Sequence, residues 1–310
     1  MSSAESHDAA RLRAGVGYAL GAYITWGFAP LYFLLVEFAQ PLEIISHRAI
    51  WSLVIILVIL GFRRRLRSVI MMSRRTVAGL LLSGSLLCVN WFAFVWALQN
   101  ERVMETTVGY YLNPLISIVL GVLLLGERQR PLQWVAVVLA GLGVANEIFN
   151  VGSVPVVALT LAFSFGFYGL VRKRLGVDAL PGLAVETALV LPLALALLAW
   201  LAVTGTSASL ERGGLGVFYL ALGGVVTLVP LVCFNAAAIR LPLVTLGMFQ
   251  YLAPSITLAL AVFHYGEPFT QGKAYTFALI WSALAIYTLE AWLDGRRGVR
   301  QRDREAAARA

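Results

Sequence analysis

Charge is scarce in this sequence. Only 13% of its 310 residues are Asp, Glu, Lys or Arg, while 60% are hydrophobic. A soluble chain of this length would need a charged coat over its apolar core, and this one has too little to make it, which excludes an ordinary soluble enzyme or binding domain. Cysteine is nearly absent: Cys88 and Cys233 both fall in apolar stretches with no partner at metal-ligand spacing, and read as small core hydrophobes. There is no G-x-x-x-x-G-K-[ST] phosphate loop, no H-E-x-x-H helix and no G-x-S-x-G elbow, so nothing in the chain is equipped to hydrolyse ATP. No cofactor and no metal are expected. The first dozen residues hold charges and no apolar stretch, so a cleaved signal peptide is not expected either.

What the chain does have is long apolar runs. Ten of them approach the roughly 20 residues a helix must have to cross the hydrocarbon with its backbone fully bonded. They lie at approximately 14–36, 43–62, 77–98, 105–124, 132–148, 154–171, 183–203, 216–237, 244–263 and 273–293. The pattern predicts an all-α polytopic membrane protein.

The runs repeat. Gly126-Glu127 and Gly266-Glu267 each follow a proline, Pro114 or Pro254, by the same interval, and Tyr111-Leu112-Asn113-Pro114 lies over Tyr251-Leu252-Ala253-Pro254 with no gap. Five spans per half is an odd number, so duplicated halves must enter the bilayer in opposite senses, as in secondary transporters. The organisation expected is a tail at 1–13, a first five-helix repeat at 14–149, an inverted second repeat at 150–293, and a basic tail at 294–310. With both termini cytoplasmic, twenty of the 24 basic residues fall on the inner side. Only Arg102, Arg212 and Lys273 fall outside, and Arg48 lies within a span. The bias of short loops sets this orientation. It also accounts for the net charge of +8 through insertion and anionic headgroups, so nucleic acid is not an expected partner.

Several strings resemble RarD proteins, in the EamA branch of the drug/metabolite transporter superfamily. They are Trp26-Gly27-Phe28-Ala29-Pro30-Leu31-Tyr32-Phe33, Glu43-Ile44-Ile45-Ser46-His47-Arg48 with Trp51-Ser52, Asn90-Trp91 through Val95-Trp96-Ala97, Gly109-Tyr110-Tyr111-Leu112-Asn113-Pro114, Leu161 to Phe165 with Tyr168 to Lys173, and Gln250-Tyr251-Leu252-Ala253-Pro254. The resemblance runs from about residue 14 to 293. It implies ten helices in two inverted EamA repeats, a central cavity lined mainly by the third, fourth, eighth and ninth, and an inner-membrane exporter of drugs, amino acids or metabolites.

Read from the residues themselves, Thr107, Tyr110, Asn113 and Ser117 recur at helical spacing on the fourth run, and Gln250, Ala253/Pro254 and Thr257 on the ninth. Polar faces inside lipid must meet protein or water. They therefore line a substrate pathway or bond helix to helix. The prolines Pro114 and Pro254 are expected to bend both helices. Trp26, Trp91, Tyr110, Tyr111 and Tyr251 lie too deep for an interfacial belt to require them all, and offer flat surfaces to an aromatic or amphipathic solute, with core packing as the plainer alternative.

Ionisable groups in the spans are few. Glu43 and His47, four residues apart, share a helix face and could exchange a proton, or neutralise Arg48. Glu105 opens the fourth run. Glu186 enters the seventh from the other side, as a second gate or as a partner of the Arg172-Lys173-Arg174 loop, while Glu127 and Glu267 are expected as helix-end anchors. The sequence thus points to a carrier of a small molecule working by alternating access, with proton coupling at these acids. A pore-type facilitator and a membrane-bound enzyme are the alternatives, the latter lacking any nucleophile beside His47 or His264. The lipid bilayer and a small-molecule substrate are the expected partners. Whether a second copy of the chain joins them is open.

Overall fold

The computed structural model describes residues 3–151 and 156–309, and among these it is helical with no strand. In chain order the helices are α1 (Ser3–Leu35), α2 (Pro41–Phe62), α3 (Arg67–Ile70), α4 (Arg74–Gln99), α5 (Val103–Leu125), α6 (Pro131–Val151), α7 (Val156–Leu175), α8 (Ala179–Val203), α9 (Ala208–Glu211), α10 (Gly213–Ala238), α11 (Leu243–Gln250), α12 (Leu252–Phe263) and α13 (Gln271–Arg309). Ten stretches are long and apolar enough to cross a membrane, one of them, Leu243–Phe263, made of α11 and α12 together. All ten fall on the predicted runs. The tails are drawn into the helices, since α1 begins at Ser3 and α13 continues to Arg309.

The pairing of helices carries the duplication into three dimensions. α1 packs on α10 and α12, and α7 packs on their counterparts α4 and α5. α2 pairs with its own counterpart α8, α5 with α11, and α6 with α13. Exchanging each span for the one five places on returns the same scheme. A close approach repeats in atomic detail: a Cβ on Gly27 would lie 2.6 Å from Ile256, and one on Gly166 would lie 2.7 Å from Ile116. Ile116 and Ile256 are 140 residues apart. Each half thus inserts an isoleucine from its fourth span against a bare backbone on the first span of the other half, a contact that neither glycine could keep with a side chain.

The two prolines behave differently. α5 runs unbroken through Pro114, whereas the ninth span divides at Tyr251. Proline lacks an N–H and its ring displaces the carbonyl four residues back. For Pro254 that residue is Gln250, where α11 ends. At Pro114 the same defect is bridged by packing, because α5 lies along α7 while the ninth span changes neighbour, with α11 on α5 and α12 on α1. The segments on either side of the break therefore answer to different helices. One consequence is that α5 and the ninth span meet at the arginine-rich end and part toward the opposite end.

Candidate functional site

Five spans converge on Arg48. It is the eighth residue of α2, about 10 Å inside the end of that helix at 1.5 Å per residue. Its guanidinium lies 5.5 Å from the ring centroid of Phe33 on α1 and 5.9 Å from that of Trp91 on α4. Its Nε donates to Thr227 Oγ1 on α10 at 2.7 Å, and the Thr227 hydroxyl in turn donates to Gly223 O at 2.7 Å. The phenols of Tyr32 and Tyr110 stand within electrostatic range. Tyr110 on α5 is 45% exposed, with its ring 6.4 Å from Phe94. Arg48, Trp91 and Tyr110, predicted separately as gate and pathway residues, are thus brought into one cluster.

Other predicted pathway residues join helices instead. Asn90 donates to Leu161 O and Ser164 Oγ, both at 3.0 Å. Asn113, with its amide turned to satisfy both ends, donates to Ala162 O at 3.1 Å and Leu161 O at 3.3 Å, so both asparagines bind α7. Gln250 donates to Ser117 Oγ at 3.0 Å where α11 crosses α5, and Thr257 donates to Gly27 O at 3.3 Å. Tyr111 is buried edge-on to Phe277 of α13, and Tyr251 is fully buried. Trp26 packs in an aromatic cluster with Tyr23, Phe165 and Phe234. Thr107 is half-buried on α5.

The acids at the helix ends bind backbone amides. Glu43 is fully buried, and its two oxygens accept from Ser207 Oγ at 3.0 Å, Ala208 N at 3.1 Å and Ser209 N at 2.9 Å, the start of α9. Among the described residues Glu43, His47 and Arg48 form no ion pair within 4 Å, His47 Nε2 is buried without a hydrogen bond, and the Glu43 charge nonetheless acts on the His47 ring. Four hydrogen-bond donors at a helix start are left over by the helix itself, and a carboxylate satisfies them best. Replacing Glu43 by Gln should therefore lower stability by about 1.5–3 kcal/mol, the worth of a charge-assisted bond, and leave the pH profile of function where it was. A profile shifted in Glu43→Gln would reinstate the carboxylate as a proton carrier.

Glu105 does the same for α7, accepting from Val157 N at 3.1 Å while paired with Arg102 at 3.2 Å. Glu127 accepts from Leu243 N at 2.7 Å and Val244 N at 2.9 Å, and so ties the end of α5 to the start of α11. A Cβ on Gly121 would lie 2.9 Å from that carboxylate and 3.2 Å from Val244 N, so the seal requires glycine there. Its counterpart Glu267 pairs with Lys273 at 3.3 Å and is half exposed. The local turn is the same at both, with Glu127 N donating to Gly121 O and Glu267 N to Ala261 O. Only the partner differs.

Glu186 pairs with Arg172, one of the two roles expected for it, inside a knot whose other members the sequence did not reveal. It accepts from Ser83 Oγ at 2.5 Å and Tyr168 Oη at 3.3 Å, and pairs with Arg172 at 3.6 Å. Arg172 Nε donates to Asn235 Oδ1 at 2.6 Å, and Asn235 donates to Tyr168 Oη at 2.7 Å. Four spans meet in these contacts. Arg172 read as a loop residue because two further cations follow it, yet it closes α7 fully buried. Asn235, an amide inside an apolar run, was the available signal. Thr227 and Tyr32 gave none beyond being polar within spans.

Ten spans long and apolar enough to cross a membrane are the build of a multi-pass membrane protein. The model of the EamA-like transporter family matches residues 13–146. An uncharacterized transporter of Pseudomonas aeruginosa is 48% identical, covering 93% of this chain and 97% of its own length. Protein RarD of Escherichia coli is 44% identical over 94% and 99%. The chloramphenicol-sensitive protein RarD of Pseudomonas aeruginosa is 30% identical over 88% and 92%. One solved chain superposes with a TM-score of 0.69 at 19% identity, over 91% of this chain and 98% of that one, a likeness of fold alone. The chain belongs to the EamA-like transporter family, with RarD proteins as close full-length relatives. It is a multi-pass bacterial inner-membrane protein that handles a small molecule, a transporter rather than an enzyme.

Proposed function

We propose that the protein is a secondary carrier that exports a small amphipathic or aromatic solute by alternating access between two inverted repeats. The cluster around Arg48 carries this reading, because aromatic faces and a cation stand together at membrane depth between spans of both halves. The distribution of basic residues supports cytoplasmic termini, and on that reading the sealed end at Glu127 is cytoplasmic and the Arg48 cluster lies toward the periplasm. Proton coupling moves from Glu43 to Glu186, the acid that faces hydroxyls of Ser83 and Tyr168 instead of backbone amides.

Purified protein in proteoliposomes, tested with amino acids, small metabolites and chloramphenicol, should give saturable, counterflow-competent transport. A rate rising linearly with concentration would favour the pore-type facilitator. The relative named for chloramphenicol sensitivity is the reason for including that solute. Orientation is tested separately, by reporter fusions after Arg67 and Arg300, expected to read cytoplasmic, and within 204–215, expected to read periplasmic. A periplasmic reading after Arg300 would sink both the orientation and the inverted arrangement.

A further inference from the structure

Every acid near the membrane-spanning cations is committed to something other than Arg48. Glu43 serves α9, Glu105 serves α7 and Arg102, and Glu186 serves Arg172. Among the described residues Arg48 forms no ion pair, and the titratable groups facing it are two phenols, Tyr32 and Tyr110. Of its five N–H donors, Nε is anchored on Thr227, whose own proton is spent on Gly223 O. The stem is held as well, since a Cβ on Gly223 would lie 2.7 Å from Arg48 Cγ and 2.3 Å from Tyr32 Oη. The result is a guanidinium held at its Nε and stem, with its carbon 5.5 Å from the Phe33 ring centroid and 5.9 Å from that of Trp91 and the Tyr110 phenol in electrostatic range.

We infer that this cluster is a receptor for the carboxylate of an aromatic or amphipathic acid, with the terminal nitrogens of Arg48 holding the anionic group and the rings of Phe33, Trp91 and Tyr110 holding the apolar body. A charged group in a span is retained only where something offsets its desolvation, and no protein acid does so here. A carboxylate fits the two-nitrogen edge of a guanidinium with two parallel hydrogen bonds. The rings alone would also suit a cation, but a cation would share the cluster with Arg48 and be repelled by it. The inference rests on the carrier reading and narrows its solute to anions.

The test pairs aromatic carboxylates, from benzoate to 2-naphthoate and indole-3-propionate, with their primary amides and with tryptamine. Binding to the full-length purified protein is measured by equilibrium dialysis, and uptake in proteoliposomes alongside it. At least one acid should bind ten-fold or more tighter than its amide, and tryptamine should not compete. Arg48→Gln should bring acid and amide to equal affinity, while Arg48→Lys keeps part of the preference. If Arg48→Gln does not fold, Thr227→Val serves, because it frees the guanidinium without removing it and should weaken the acid while sparing the amide. An acid–amide preference that survives these variants, or no preference in any pair, overturns the proposal. Saturable transport of a neutral or cationic solute by Arg48→Gln at the wild-type rate would sink the anion receptor and leave the carrier standing. Absence of saturable transport of every solute, with acid binding intact, would instead sink the carrier.

Discussion

Replacing Arg172 with methionine is expected to abolish folded protein in the membrane, and adding Glu186→Leu is expected to restore it. The pair is wholly buried, and Arg172 Nη1 and Nη2 have no hydrogen bond, so its strength rests on the 3.6 Å contact and on Asn235. Removing one charge from such a pair leaves the other uncompensated, at a cost of about 3–5 kcal/mol, comparable to the whole stability of many domains. Removing both trades an ion pair for apolar packing, which is often neutral. Detergent-solubilised yield and size-exclusion profile measure the effect. If the single variant is as well folded as wild type, or the double variant is worse than the single, the knot is not a charge pair in the sense drawn here. A restored double variant that still transports but ignores a pH gradient would also support Glu186 as the site of coupling.

Glu127→Ala is expected to open the arginine-rich end. Two bonds from a carboxylate to Leu243 N and Val244 N join α5 to α11. If they are made only when that end is closed, their loss shifts the balance of states by about 3 kcal/mol, or roughly a hundredfold in the ratio of open to closed. Ser117, buried under the crossing of α5 and α11, is the reporter. With Cys88 and Cys233 replaced, Ser117→Cys should react with an impermeant maleimide from the cytoplasmic side many times faster when Glu127 is alanine. Glu127→Gln, which keeps one acceptor, should fall between. Equal labelling rates in all three backgrounds would show that the carboxylate caps α11 without gating it.

Much of this was readable beforehand, and the boundary is physical. Span number and position follow from the demand that backbone amides be bonded in lipid, a rule local to each run, so the ten stretches were found within a few residues. The repeat was legible because Gly-Glu and proline are sparse enough to align. Side-chain roles were less accessible. Periodicity put Thr107, Tyr110 and Asn113 on one face, yet Asn113 turns to carbonyls of α7 while Tyr110 faces Arg48, a choice set by which helix lies alongside. Glu43 and His47 share a face in sequence, but α9, more than 160 residues away, claims the carboxylate. Pro114 and Pro254 look alike in the text and differ because only the ninth span exchanges one neighbour for another.

One methyl group separates the two ends of the molecule. Where the Glu127 seal needs Gly121, the corresponding position at the far end of the ninth span is Ala261. A mirror image of the Glu127 contact, made by Glu267 on the start of α5, would bring that methyl to about 3 Å from a carboxylate and a backbone amide, inside ordinary packing distance. The two closed forms are then unequal partners in a cycle: one has a fitted latch and the other a latch with an obstruction. On the carrier reading, an empty protein built this way rests open at the Arg48 end, and opening the Glu127 end needs free energy from a bound solute or a driving gradient.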